Sequence, residues 1–213
     1  MIRGKFIAVE GIDGSGKTNM CAYLRRHYNR TGAYTNAKVM HFPSPVMQRY
    51  MEGKDLTNEE EKLCYLADFA EQTPLINRYL DLGINVIADR WYYSTAAYQF
   101  EKADEKTVKQ MKKFLGGILR PDLVIIMDIS PKTALANIKK REGKVAKTLF
   151  LKLYVIRNNY ISLFEDCFLG YRGKTVFGDT AFLVDAERGN VSWKALHIDT
   201  VKRINEILFP SRK

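Results

Sequence analysis

Gly11-Ile12-Asp13-Gly14-Ser15-Gly16-Lys17-Thr18 is the stretch that decides the fold. It matches G-x-x-x-x-G-K-[ST] at every fixed position. Its flanks suit that motif: Phe6 to Glu10 (FIAVE) is a short apolar run of strand character, and Lys17 to Arg30 carries apolar residues near helical spacing. Strand, glycine-rich loop and helix therefore follow one another. Gly11, Gly14 and Gly16 let the backbone turn tightly and aim successive N–H groups inward, and the helix N-terminus adds a partial positive charge. The result is a cradle for nucleotide phosphates. Lys17 has the reach for β- and γ-phosphates, and Thr18 offers a hydroxyl to Mg2+.

Outward from that loop the chain alternates. A second strand at Lys38 to Phe42 stops at Pro43, and Asn58 to Asp81 reads as a long helix. Its apolar spacing predicts Leu63, Leu66, Ala67 and Ala70 on one face, with Pro74 inside it as a candidate kink. Gly83 ends it before a buried-type strand, Ile84 to Ala88, that runs into Asp89 and Arg90; another, Leu123 to Asp128, follows Pro121. Helices are expected over Pro131 to Arg141, Lys147 to Glu165 and Val191 to Leu208, with one more strand at Ala181 to Val184. This order predicts a three-layer α/β P-loop NTPase fold, a parallel sheet of about five strands with helices on both faces. Ligands of such sheets bind outside the carboxyl ends of the strands, which puts Gly11, Asp89 and Asp128 on one rim.

Bulk properties narrow the classes. The 213 residues are 46% hydrophobic, enough for one full core, and no Pro/Gly/Ser linker or repeat divides residues 1–213 into more than a single domain. Lys plus Arg number 34 against 24 Asp plus Glu, a formal charge of +10. The basic residues are interleaved with acidic ones, and no stacking motif or recognition helix accompanies them, so no nucleic-acid partner is expected. The longest apolar run, Leu123 to Met127, cannot cross a bilayer, and Arg3, Lys5 and Glu10 interrupt the first one, which excludes a membrane partner and points to a cytoplasmic protein. Cys21, Cys64 and Cys167 are odd in number and in no metal-ligand pattern, as expected of reduced thiols.

A phosphate loop alone does not separate kinases from GTPases or nucleotide-gated switches. No Asn-Lys pair occurs in the chain, which removes the guanine-reading N-K-x-D motif of GTPases. The deciding run is Asp89-Arg90-Trp91-Tyr92-Tyr93-Ser94-Thr95-Ala96-Ala97-Tyr98-Gln99, a carboxylate, a guanidinium and several aromatics in one turn and helix. With FIAVEGIDGSGKT at the start, FPSP at Phe42 to Pro45, PLINRYLDLGINVIADR and PDLVIIMDISP from Pro121, the sequence resembles the thymidylate kinase family of nucleoside monophosphate kinases from Phe6 to about Asp185.

That resemblance implies transfer of the γ-phosphate of ATP to a deoxynucleoside monophosphate, dTMP to dTDP for dTTP synthesis, with Mg2+ as cofactor and a homodimer as the assembly. ATP would be held by Gly11 to Thr18 and by Arg141, and the acceptor by Asp13, Phe42, Pro43, Tyr65, Phe69, Arg90, Ser94, Thr95, Tyr98 and Gln99. In those roles Asp13 would accept a hydrogen bond from the 3′-hydroxyl, Arg90 would clamp the acceptor phosphate, and Tyr98 would lie where a 2′-hydroxyl would sit. Asp89 would hold the metal with Thr18. Trp91, Tyr92 and Tyr93 suit packing better than substrate contact. The acceptor phosphate is already an anion, so the site must supply positive charge rather than a base. Lys17 is the only cation within the loop motif, and Arg141, in a lid segment at about 139–148 with Lys139, Lys140 and Lys144, would supply the rest.

Three positions depart from the family pattern. Ser44 stands between Pro43 and Pro45 where an arginine or an acid is usual, Gly143-Lys144-Val145-Ala146 replaces an Asp-Arg-x-Glu lid, and Phe69 occupies the place of a base-reading arginine four residues after the stacking aromatic, Tyr65. Phenylalanine cannot donate a hydrogen bond, so base selection must pass to Thr95 or Gln99 or be relaxed. Two alternatives stay open on the residues: a kinase for another nucleoside monophosphate or a deoxynucleoside, and a nucleotide-binding protein without catalysis.

Overall fold

A computed structural model describes residues 2–31, 36–164, 173–187 and 192–210. The strands are β1 (Phe6–Glu10), β2 (Ala37–His41), β3 (Asn85–Asp89), β4 (Leu123–Asp128), β5 (Gly173–Lys174) and β6 (Thr180–Asp185). They form one sheet in the order β2-β3-β1-β4-β6-β5. All pairings are parallel except β5 with β6, so five parallel strands carry one short antiparallel edge strand that the sequence did not suggest. The chain leaves β1 to build β2 and β3 on one side and β4 and β6 on the other, and a crevice must open where that direction reverses. The glycine-rich loop sits there.

Period-two alternation along β1 assigns its side chains to two cores. Phe6 and Ala8 face a cluster with Leu66, Trp91 and Tyr160, whereas Ile7 and Val9 face Met20, Leu24, Val201 and Ile204. The second layer is α1 (Lys17–Thr31) with α8 (Trp193–Leu208); the first is α3 (Asn58–Asp81), α4 (Tyr92–Tyr98) and α7 (Leu149–Leu163). Helices α2 (Pro45–Met51), α5 (Glu105–Phe114) and α6 (Pro131–Glu142) complete the fold. Tyr92 and Tyr93 are fully buried, and both donate to the carboxylate of Asp179, so they pack and anchor the β5–β6 turn.

Local signals explain the helix starts. Thr57 and Glu60 form a reciprocal capping box at α3, and Ser130 followed by Pro131 opens α6. Gly143, at φ 80°, closes α6, so Lys139, Lys140 and Arg141, the start of the expected lid segment at about 139–148, stand in its last turn. The ends of two expected helices, Glu165 and Val191, lie outside the described residues, as does Cys167; Cys21 and Cys64 are free.

The apolar stripe of α3 is only partly buried. Helix α3 runs through Pro74 without interruption, but its buried residues are Lys62, Leu66, Asp68, Phe69, Ile76 and Leu80. Leu63, Ala67 and Ala70 are exposed. The inner face is partly polar because it must serve the site: Asp68 accepts the backbone N–H of Ser44 at 2.7 Å, and the Phe69 ring packs tilted against Phe42 and Trp91.

Candidate active site

The loop after β1 folds over the N-terminus of α1. At Gly14, φ is 81°, and a Cβ there would lie 2.5 Å from the carbonyl oxygen of Ala134, so a side chain would be excluded on both counts. Ile12 and Ser15 are buried beneath the loop, and the Ile12 carbonyl accepts Lys17 Nζ at 2.7 Å. Burial, with the nearby Arg90 charge, pushes the Lys17 ammonium down to about 7, although Asp13 and Asp89 pull the other way. Thr18 Oγ1 donates to Asp89 Oδ2 at 2.6 Å, and His41 Nδ1 lies 3.2 Å from the same oxygen.

Arg90 has φ 74°, outside the usual range for a residue with a Cβ. Its guanidinium explains what the turn accomplishes. Nη2 donates to Asp13 Oδ1 and, at 3.3 Å, to the Tyr98 hydroxyl; Nη1 donates to Ser94 Oγ at 3.0 Å and to the Gly11 carbonyl at 3.4 Å. Tyr98 also accepts the Asp13 N–H at 3.0 Å, and its ring lies 4.9 Å from the guanidinium carbon. The loop, the strand-end arginine and α4 are thereby knitted together.

Beneath them lies Glu10, which the sequence reading passed over. Its carboxylate accepts the Trp91 N–H at 2.7 Å, the Ser94 hydroxyl at 2.7 Å and the Tyr160 hydroxyl at 3.0 Å. Complete burial pushes it up to about 7, while these hydrogen bonds and Arg90 act in the opposite direction. The available signal was a carboxylate ending an apolar strand; Tyr160 left none, being 150 positions away.

Two cavities meet at Arg90. One, of about 270 Å3, is lined by Asp13, Phe42, Pro43, Tyr65, Phe69, Arg90, Ser94, Thr95, Tyr98 and Gln99, so the structure brings every expected acceptor residue together and adds Trp91. The other, of about 560 Å3, is lined by Asp13, Gly14, Gly16, Lys17, Thr18, Asp89, Arg90 and Arg141, with Asn19, His41, Phe42, Asn137, Lys140 and Trp193 added. Gly11, Ile12 and Ser15 are not among its walls. Asn137 Nδ2 donates to the Gly14 carbonyl at 2.9 Å and ties α6 to the loop.

Gln99 is unusual in its partners. Its Nε2 donates to Glu61 Oε2 at 3.0 Å, while its Oε1 is buried with no hydrogen bond. A carboxylate only accepts, so Glu61 fixes which end of the amide is nitrogen and leaves the oxygen free.

A family model described as thymidylate kinase matches residues 9–168. The thymidylate kinase of Brachyspira hyodysenteriae is 34% identical over 149 residues, covering 68% of this chain and 72% of that protein. A probable thymidylate kinase of Pyrococcus horikoshii is 32% identical over 176 residues, covering 77% and 84%. One of Archaeoglobus fulgidus is 31% identical over 191 residues, covering 85% and 87%.

Proposed function

The chain belongs to the thymidylate kinase family and is an ATP-dependent nucleoside monophosphate kinase that makes dTDP from dTMP; we propose that Arg90 and the loop residues bring the two nucleotides end to end. The observation that carries this reading is the sharing of Asp13, Phe42 and Arg90 by both cavities. An acceptor phosphate drawn to Arg90 would stand beside a γ-phosphate drawn to Lys17, and such positioning with charge stabilisation supplies most of the catalysis in phosphoryl transfer. Arg141 and Lys140 would neutralise further charge.

The site suits Mg2+. Thr18 and Asp89 offer two hard oxygen donors 2.6 Å apart, and no group of three or more acidic, His or Cys ligands occurs among the described residues. Mg2+ commonly takes one or two protein oxygens and leaves the rest to phosphates and water. Bound there, it would neutralise charge on the phosphate oxygens. Thr18 and Asp89 would hold it, while Lys17 and Arg90 orient the reacting phosphates.

Selection of the base would rest on Gln99. The free Oε1 is an acceptor, matching the N3–H of thymine or uracil, whereas cytosine offers a lone pair at that position. A site built to bond one edge rejects an analogue that cannot, because a buried group is then left unpaired. The apolar surface of Phe42, Phe69 and Trp91 would add a smaller preference for the thymine methyl. A coupled ADP-release assay with dTMP, dUMP, dCMP, dGMP and AMP tests this. We expect dTMP first, dUMP next and dCMP weak; equal turnover of dCMP and dTMP would overturn the base assignment.

The expected homodimer has a candidate face. Leu63, Ala67, Ala70 and Pro74 are exposed on α3 at i, i+4, i+7 and i+11, an apolar stripe that a second copy would cover. No helix among the described residues is long and apolar enough to cross a membrane.

A further inference from the structure

The two peptide N–H groups on either side of the positive-φ Arg90 are both held by the last residues of β1. The Arg90 N–H donates to the Val9 carbonyl at 3.0 Å, and the Trp91 N–H donates to the Glu10 carboxylate at 2.7 Å. The other oxygen of that carboxylate accepts the Ser94 hydroxyl at 2.7 Å, and Ser94 Oγ in turn accepts Arg90 Nη1 at 3.0 Å. We propose that Glu10 is a positioning residue for the transfer: it holds the turn at Trp91 and the side chain through Ser94, and so presets the Arg90 guanidinium for the acceptor phosphate. Glu10 is fully buried and lines neither cavity, so it acts only through its neighbours. The inference rests on the proposed role of Arg90 at that phosphate.

The hydrogens at Ser94 fix the direction of the chain. A guanidinium only donates and a carboxylate only accepts, so the single hydroxyl hydrogen goes to Glu10 and a lone pair faces Arg90. Ser94 lines the acceptor cavity, yet its hydrogen is committed beneath it, which makes the hydroxyl a link to Arg90 and leaves it none to give the nucleotide. Tyr160, on α7, adds a donor to the same Glu10 oxygen at 3.0 Å. Burying a carboxylate is costly unless its oxygens are paired, and here they take donors from the turn beside Arg90, from α4 and from α7. A side chain without an acceptor at this position would strand the Trp91 N–H and leave the Ser94 hydroxyl free to rotate away from Arg90. The two ends of the guanidinium are thus held differently. Asp13 holds Nη2 at the junction of the cavities, where an incoming phosphate must share or replace it, whereas the chain from Glu10 holds Nη1 from beneath and can persist when the phosphate binds.

Steady-state kinetics with dTMP as the varied substrate, set beside calorimetric binding of ADP, separate this role from support of the fold. Glu10→Gln keeps the volume but can turn an NH2 donor toward Ser94. Its kcat/KM for dTMP should fall roughly 10- to 100-fold, the range for losing a hydrogen bond to a charged group or an outer partner of a site residue, while the ADP dissociation constant stays within about twofold. Ser94→Ala cuts the same chain one link later and should give a loss of similar size, which carries the test if Glu10→Gln does not fold. Added to Arg90→Ala, either substitution should cost less than about threefold more, because the group it positions is already gone. A full further loss on that background would overturn the proposal, and so would dTMP kinetics unchanged in both single variants. An equal weakening of ADP binding would do the same, since Glu10 would then serve the phosphate loop that follows it. If Arg90→Ala alone left dTMP turnover intact, the acceptor reading itself would fall.

Discussion

Arg90 and Asp13 are joined by a hydrogen-bonded ion pair across the junction of the two cavities, with Arg90 held at a positive φ. The pairing presets the guanidinium where both nucleotides would end, and it is a bond the acceptor must share or replace. Arg90→Ala should lower kcat/KM for dTMP by about 10²–10³-fold, the usual range for losing one charge-stabilising donor. Circular dichroism should show an intact fold. Turnover within a few-fold of wild type would remove Arg90 from the reacting centre.

Lys17 gives a proton signature. Burial holds its ammonium down to about 7, so near pH 8 the empty protein carries it mostly neutral. Phosphates placed beside it would favour the charged form. ADP binding at pH 8 should therefore take up close to one proton, measured by calorimetry in buffers of different ionisation enthalpy. Zero uptake would contradict the assignment of Lys17 to the phosphates.

Glu10 sets a pH dependence of opposite kind. Its folded value, near 7, lies above the ordinary 4.5, so the unfolded chain ionises first as pH rises. This group's contribution to stability is full below about 4.5 and declines up to about 7, by as much as about 3 kcal/mol. Glu10→Gln should flatten that part of the stability curve, read by denaturant melts between pH 5 and 7. An unchanged slope would place the decline elsewhere.

The α3 stripe predicts assembly. Sedimentation should find a dimer, and Ala67→Arg, which places charge on an exposed position of that stripe, should shift it to monomer without loss of helix content. A wild-type monomer at micromolar concentration would exclude this face.

How much of this was legible in the sequence depended on what local pattern could encode. The phosphate loop and the Asp89 to Gln99 run were readable because each is one contiguous backbone feature, a tight turn and a strand-to-helix junction. Helical spacing puts Leu63, Leu66, Ala67 and Ala70 on one face of α3 but does not say which side of the helix turns to the core. In this fold, Asp68 and Lys62 take the interior instead, each with a partner: Ser44 N–H for one, Glu59 and the Phe100 ring for the other. Glu10–Tyr160 and Gly16–Trp193 were invisible, since both join segments far apart in the chain that only the packing of α7 and α8 brings to the loop. Gln99 ends a run that the sequence marks for the acceptor, but the Glu61 bond that orients its amide comes only from the packing of α3 against α4.

Everything proposed for Arg90 requires a phosphate, and not a hydroxyl, as the acceptor. The most direct measurement is chromatographic identification of the product from ATP and Mg2+ supplied with dTMP or with thymidine. dTMP should yield dTDP and thymidine should yield no dTMP; dTMP formed from thymidine, or no dTDP from dTMP, would rule out a phosphate acceptor at Arg90.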